Sequence, residues 1–118
     1  MKPSTPSRDK ANLLAVLDSI ERIDEYTKGI ETPAAFFQAK QAFDASLMNF
    51  ITIGEIVDRL SKELKDAHPE IDWQDIKGLR NIVAHDYLGV DAEEVWQIIK
   101  DELPSLKTNI SRMLEHLD

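Results

Sequence analysis

Apolar residues recur along most of this chain at intervals of three and four, the period of helices buried along one side. Leu13, Val16, Leu17, Ile20, Ile23 and Tyr26 mark the first stripe. With Ser7 as an N-cap and Gly29 as a stop signal, they predict a helix from about Arg8 to Lys28. Thr32-Pro33 pairs a cap with a proline at the first helical position and predicts a short helix carrying Phe36 and Phe37. Phe43, Leu47, Phe50, Val57, Leu60 and Leu64 predict one long helix from about Lys40 to Lys65, ended by His68-Pro69. Gly54 falls inside that helix at a propensity cost of roughly 1 kcal/mol relative to alanine. Close approach of a neighbouring helix is the reading that explains it.

Asp72 is placed to cap a further segment running through Trp73, Ile76, Leu79, Ile82 and Val83, with Gly78 marking a kink or a break. Gly89 closes this stretch. Asp91-Ala92-Glu93-Glu94 resembles a capping box and opens the last helical region. Val95, Ile98 and Ile99 and then Leu106, Ile110, Met113 and Leu117 form its stripe, which Pro104 kinks or divides. No segment alternates with period two. The predicted fold is therefore all-α, an antiparallel bundle of four to five helices. Residues 1–6, with Pro3 and Pro6 among small polar residues, read as a flexible tail, and residues 7–118 as a single helical domain.

The length of 118 residues suits one compact domain with its own core. The absence of cysteine removes disulfides, thiolate metal sites and cysteine nucleophiles. No apolar run approaches the roughly 18 residues that span a bilayer, and the N-terminus lacks the apolar block of a signal peptide. A soluble, cytoplasmic protein that does not engage membranes is expected. The formal net charge of −8 gives no global attraction to nucleic acid, so any RNA chemistry needs a local cationic site.

His68, His85 and His116 lie far apart, and neither an HExxH pattern nor a histidine tract is present. No metal and no cofactor is expected from the sequence. Glycine-rich phosphate loops and serine elbows are also missing. What stands out is Arg80-Asn81-Ile82-Val83-Ala84-His85-Asp86-Tyr87. On an ideal helix Arg80 and His85 are about 140° apart. One reading makes Arg80 a surface cation, His85 a partner of the helix C-terminus and Tyr87 a partly buried aromatic. The other is metal-free RNA cleavage. His85 would take the proton from a ribose 2′-hydroxyl or give one to the leaving oxygen, and Arg80 would stabilise the charge growing around phosphorus. DNA lacks that internal nucleophile and would be excluded.

Arg80, four residues, His85, one residue, Tyr87 resembles the RxxxxHxY motif of HEPN-domain ribonucleases. "ERIDEYTKGI", "IGEIVDRLSKEL", "PEIDWQDIKGLRNIVAHDYLGVDAEEVW" and "IIKDELPSLKTNI" are similar to the HepT-like branch of that family, from about Asn12 to Leu114. The resemblance implies a HEPN-like helical domain over residues 7–118. It also implies a toxin of the HepT/MntA toxin–antitoxin type that acts as a homodimeric, metal-independent endoribonuclease. Arg80 and His85 would be its catalytic pair. Tyr87 would accept AMP from an MntA-like minimal nucleotidyltransferase antitoxin, adding charge and bulk that block the RNA phosphate. Asp86 and Glu55 are supporting candidates: Asp86 adjoins His85, and Glu55 flanks the apolar stripe of the long helix, where a satisfied contact at a helix or dimer interface is its plainer role. The local cations Lys77 and Arg80 are expected to be offset by Asp75 and Asp86. The alternative is a non-catalytic helical module that binds a nucleotidyltransferase or a nucleotide.

Overall fold

The computed structural model describes residues 5–86 and 91–117; at Thr5, Pro6 and residues 83–86 it describes the backbone alone. Its elements are α1 (Thr5–Tyr26), α2 (Pro33–Gln38), α3 (Lys40–Arg59), α4 (Lys62–Ala67), α5 (Trp73–Lys77), α6 (Leu79–Asp86), α7 (Ala92–Gln97), a π-helical turn (Ile98–Glu102) and α8 (Leu103–Glu115). The all-α bundle expected from the apolar periodicity is what the chain forms. Among the described residues, no helix is long and apolar enough to cross a membrane.

α1 begins at Thr5 rather than near Arg8, so two residues of the expected tail are helical, and Ser7 lies within the helix instead of capping it. Pro6 is tolerated there because the first-turn amides of a helix have no intrahelical acceptor. The rest of the expected tail lies outside the described residues.

The long helix predicted from Lys40 to Lys65 is two helices. Leu60 turns to an extended conformation (φ −63°, ψ 145°), and Ser61 restarts the chain as the N-cap of α4, its Oγ accepting from the Leu64 amide at 3.1 Å. The break is held from a distance. Asp9 of α1, 5% exposed, accepts the Ser61 amide at 2.9 Å and the Ser61 hydroxyl at 2.5 Å. A buried carboxylate that receives two donors is well satisfied, so this contact fixes where α3 stops.

The other caps follow the sequence. Thr32 accepts from the Ala35 amide, Asp72 from Asp75, and Asp91 from Glu93 and Glu94. Gly78 separates α5 from α6. In the last region the π-helical turn lies just before Pro104, which has no N–H to donate back along the helix.

α3 is the central rod, packed against α1 on one side and α5–α6 on the other. Phe50 and Ile53 on α3 are fully buried with Leu13, Val16 and Ile23 of α1 and Ile110 of α8. At one end Phe36 sits between Phe43, with ring centroids 5.2 Å apart, and Trp96, at 5.3 Å. This aromatic cluster joins α2, α3 and α7. Trp73 anchors α5: its indole N–H lies 3.1 Å from the His68 carbonyl and 3.2 Å from that of Lys65.

Candidate active site

The seat of Arg80 is set by a glycine. α3 and α5–α6 meet at Gly54, where a β-carbon would stand 2.9 Å from the Lys77 carbonyl oxygen and 3.1 Å from both the Cβ and the amide nitrogen of Arg80. Only a residue without a side chain lets the backbones approach this closely. The close-packing reading of Gly54 is therefore the correct one, and the helix it admits is the one that carries Arg80.

From that contact the Arg80 side chain, 34% exposed, reaches the edge of the bundle. Its Nη1 lies 3.6 Å from Oδ2 of Asp58, one turn beyond Gly54 on α3. The Lys77 ammonium lies 2.9 Å from the other oxygen, Oδ1. One carboxylate thus carries two cations from a different helical rod. The hydrogen bond from Lys77 and its charge, with smaller contributions from Arg80 and Lys65, hold the Asp58 carboxyl below the ordinary carboxylate range against a modest opposing effect of desolvation.

This corrects the expected charge balance. Among the described residues the carboxylate that forms ion pairs with Lys77 and Arg80 is Asp58, whereas Asp75 lies beside Glu102. There desolvation first, and then the hydrogen bond and negative charge of Asp75, push the Glu102 carboxyl above its ordinary value. Both line an acidic cleft of about 280 Å³ between α5 and the π-helical turn with α8, which Arg80 does not line. The expected offset by Asp86 lies outside the described side chains.

α6 (Leu79–Asp86) carries both Arg80 and the backbone of His85. The side chains of His85 and Asp86 lie outside the described residues, as does Tyr87. Glu55 adjoins Gly54 on α3, but its ion-pair partner is Arg59 one turn on, at 3.9 Å, with its side chain half exposed. The structure brings Arg80 together with Asp58 and Lys77, not with Glu55. Sequence reasoning did not place Asp58 at the site. The available signal was its position one turn after Gly54, but nothing in the chain tells which helix Gly54 receives.

The described part of the motif is thus a partly exposed arginine on α6, paired with a carboxylate of α3, with His85 placed by its backbone five residues further along the same helix. Residues 16–113 match the ribonuclease HepT-like family, and the chain belongs to that family. A protein of Methanocaldococcus jannaschii described as "Gamma-glutamylcyclotransferase and putative RNase" is 36% identical over 109 residues, covering 92% of this chain and 49% of the relative. The chain thus spans about half the length of that protein. A second protein from that archaeon, described as "Putative RNase", is 30% identical over 96% of this chain and 93% of its own length. A "Probable ribonuclease HepT" of Thermococcus cleftensis is 31% identical over 83% of this chain and 88% of its own length. No solved structure matches the chain significantly.

Proposed function

We propose that this protein is a metal-independent endoribonuclease, the toxin of a toxin–antitoxin pair, acting on cytoplasmic RNA through Arg80 and His85. The observation that carries this reading is the placement of Arg80. Its backbone is seated against α3 by the Gly54 contact, its guanidinium stands partly exposed beside Asp58, and His85 follows five residues on along α6. Membership of a ribonuclease family supports it.

In the proposed reaction the ribose 2′-oxygen attacks the adjacent phosphorus and the 5′-oxygen leaves, giving a 2′,3′-cyclic phosphate and a 5′-hydroxyl. His85 moves the proton, as base toward the 2′-hydroxyl or as acid toward the leaving oxygen. Arg80 offers paired donors to the phosphoryl oxygens as charge builds on them. A homodimer would set two copies of the motif across one groove. Control is proposed at Tyr87. Its phenolic oxygen attacks the α-phosphorus of ATP on a minimal nucleotidyltransferase antitoxin, and pyrophosphate leaves. The AMP left on Tyr87 places a negative charge where the RNA phosphate must go.

The test is cleavage of RNA by purified, unmodified protein in EDTA, with cyclic phosphate ends, lost in Arg80→Ala and His85→Ala. If the wild-type protein leaves RNA intact while both folded variants behave identically to it, the reading fails. Intact-mass measurement of protein made with and without the antitoxin tests the switch, through AMP-sized additions mapping to Tyr87.

One observation favours a second reading. Arg80 is engaged by Asp58, and the chain carries a net charge of −8. A non-catalytic module binding the nucleotidyltransferase or a nucleotide would show tight complex formation indifferent to His85, with no cleavage.

A further inference from the structure

Two cations from α5–α6, Lys77 and Arg80, converge on opposite oxygens of Asp58, at 2.9 and 3.6 Å. None of the three is deeply buried: the side chains are 34%, 34% and 42% exposed. A carboxylate held this way has the shape of a ligand. It is a flat anion with two oxygens, each facing one donor group, at the surface and open to exchange. A phosphodiester presents two non-bridging oxygens with the same charge and a similar spread, and both arginine and lysine bind it well. Asp58 lies on a different element from the cations, so its side chain can swing away without disturbing α5 or α6.

We propose that Lys77 and Arg80 form a two-cation seat for an RNA backbone phosphate, which the Asp58 carboxylate fills in the free protein and yields when RNA arrives. This rests on the ribonuclease reading and deepens it, adding Lys77 as a phosphate-binding residue and Asp58 as an internal competitor. It also answers a difficulty of charge. A protein at −8 needs a local cationic site to hold RNA, and the seat becomes one once Asp58 leaves. Free in the unliganded protein, the same two cations would gather anions indiscriminately. With Asp58 in place, only a polyanion that also makes further contacts displaces it.

The experiment measures binding of a fluorescent 2′-O-methyl oligoribonucleotide, which lacks the attacking hydroxyl, by anisotropy from about 50 to 200 mM salt. Asp58→Asn is expected to bind several-fold more tightly than wild type, and Asp58→Glu to stay close to it. Lys77→Gln is expected to bind more weakly, with the slope of log K against log salt reduced by about 0.7, the share of one phosphate on a single strand. A merely structural role for Lys77 would not move that slope. The proposal is overturned if Asp58→Asn binds no more tightly than wild type, or if Lys77→Gln keeps the wild-type slope. Should Asp58→Asn not fold by circular dichroism, the Lys77→Gln slope decides alone. Cleavage of the unmethylated oligonucleotide by the same preparations separates the two ideas. Cleavage without these binding shifts sinks the seat and leaves the ribonuclease standing; the shifts without cleavage do the reverse.

Discussion

Gly54 and Arg80 touch backbone to backbone: a β-carbon on residue 54 would lie 3.1 Å from the Arg80 amide nitrogen and 2.9 Å from the Lys77 carbonyl oxygen. Neither neighbour is a flexible side-chain tip that can step aside. Alanine at 54 gains roughly 1 kcal/mol of helix propensity. Forcing the helices apart costs about 1–3 kcal/mol. Gly54→Ala is expected to lose about 1 kcal/mol net in urea denaturation. It is also expected to lower RNA cleavage more than stability alone explains, because Arg80 moves with α6. A variant as stable and as active as wild type would show that the contact is slack.

Arg80→Ala is expected to reduce cleavage about 10²–10³-fold, the usual loss of a donor to a developing oxyanion. His85→Ala should fall in the range of a lost general acid–base, about 10²–10⁴-fold. Tyr87→Phe should still cleave and gain no AMP in the presence of the antitoxin, so it would escape neutralisation. Initial rates on a defined oligonucleotide, with intact mass in parallel, check all three.

Asp9→Ala leaves the Ser61 amide and hydroxyl without their long-range acceptor at a partly buried junction. The expected cost is about 1–3 kcal/mol. Hydrogen exchange should show the loss first in the amides from Leu60 to Leu64, where α3 gives way to α4. Uniform loss across the chain, or none, would mean that Leu60 turns for local reasons.

Glu102 titrates above its ordinary value because desolvation and Asp75 disfavour its charge. A carboxyl with a raised folded-state pKa supports folding most below its unfolded pKa, and that support is lost as pH rises through the folded value. Near neutrality the ionised Glu102 is therefore a liability. Glu102→Gln is expected to raise Tm at pH 7, with the difference shrinking as pH falls into and below the ordinary glutamate range. Thermal melts across that window test this, and a gain that persists unchanged at acid pH would contradict it.

Phe36 is fully buried between Phe43 and Trp96, so it ties the short α2 to two other rods. Phe36→Ala should cost about 3–5 kcal/mol, enough to threaten folding of a domain this size. Phe37, its neighbour, is 45% exposed with Lys40 over its ring, and Phe37→Ala should cost far less in the same denaturation series.

Helices, caps and breakers were legible in the chain because their causes are local. Thr32-Pro33, Asp72 and Asp91 each act on amides two or three residues away, and Leu13, Val16, Ile20 and Ile23 share a face whatever packs on it. The RxxxxHxY spacing, with the family likeness around it, is likewise a property of sequence, and it singles out Arg80, His85 and Tyr87 as candidates. Tertiary structure decided what depends on a neighbour from elsewhere in the chain. The stripe from Phe43 to Leu64 reads as one helix, yet the chain divides at Ser61, which caps α4 through the Leu64 amide and is held by Asp9 reaching from α1. Gly54 announced a close approach without saying of what. Asp58 looked like one solvated carboxylate among many until the Gly54 crossing set α3 against α5–α6 and gave it Lys77 and Arg80 together. Periodicity and capping act within a turn or two of helix, so a single sequence carries them; which helix lies against which is settled by the packing of side chains far apart in sequence.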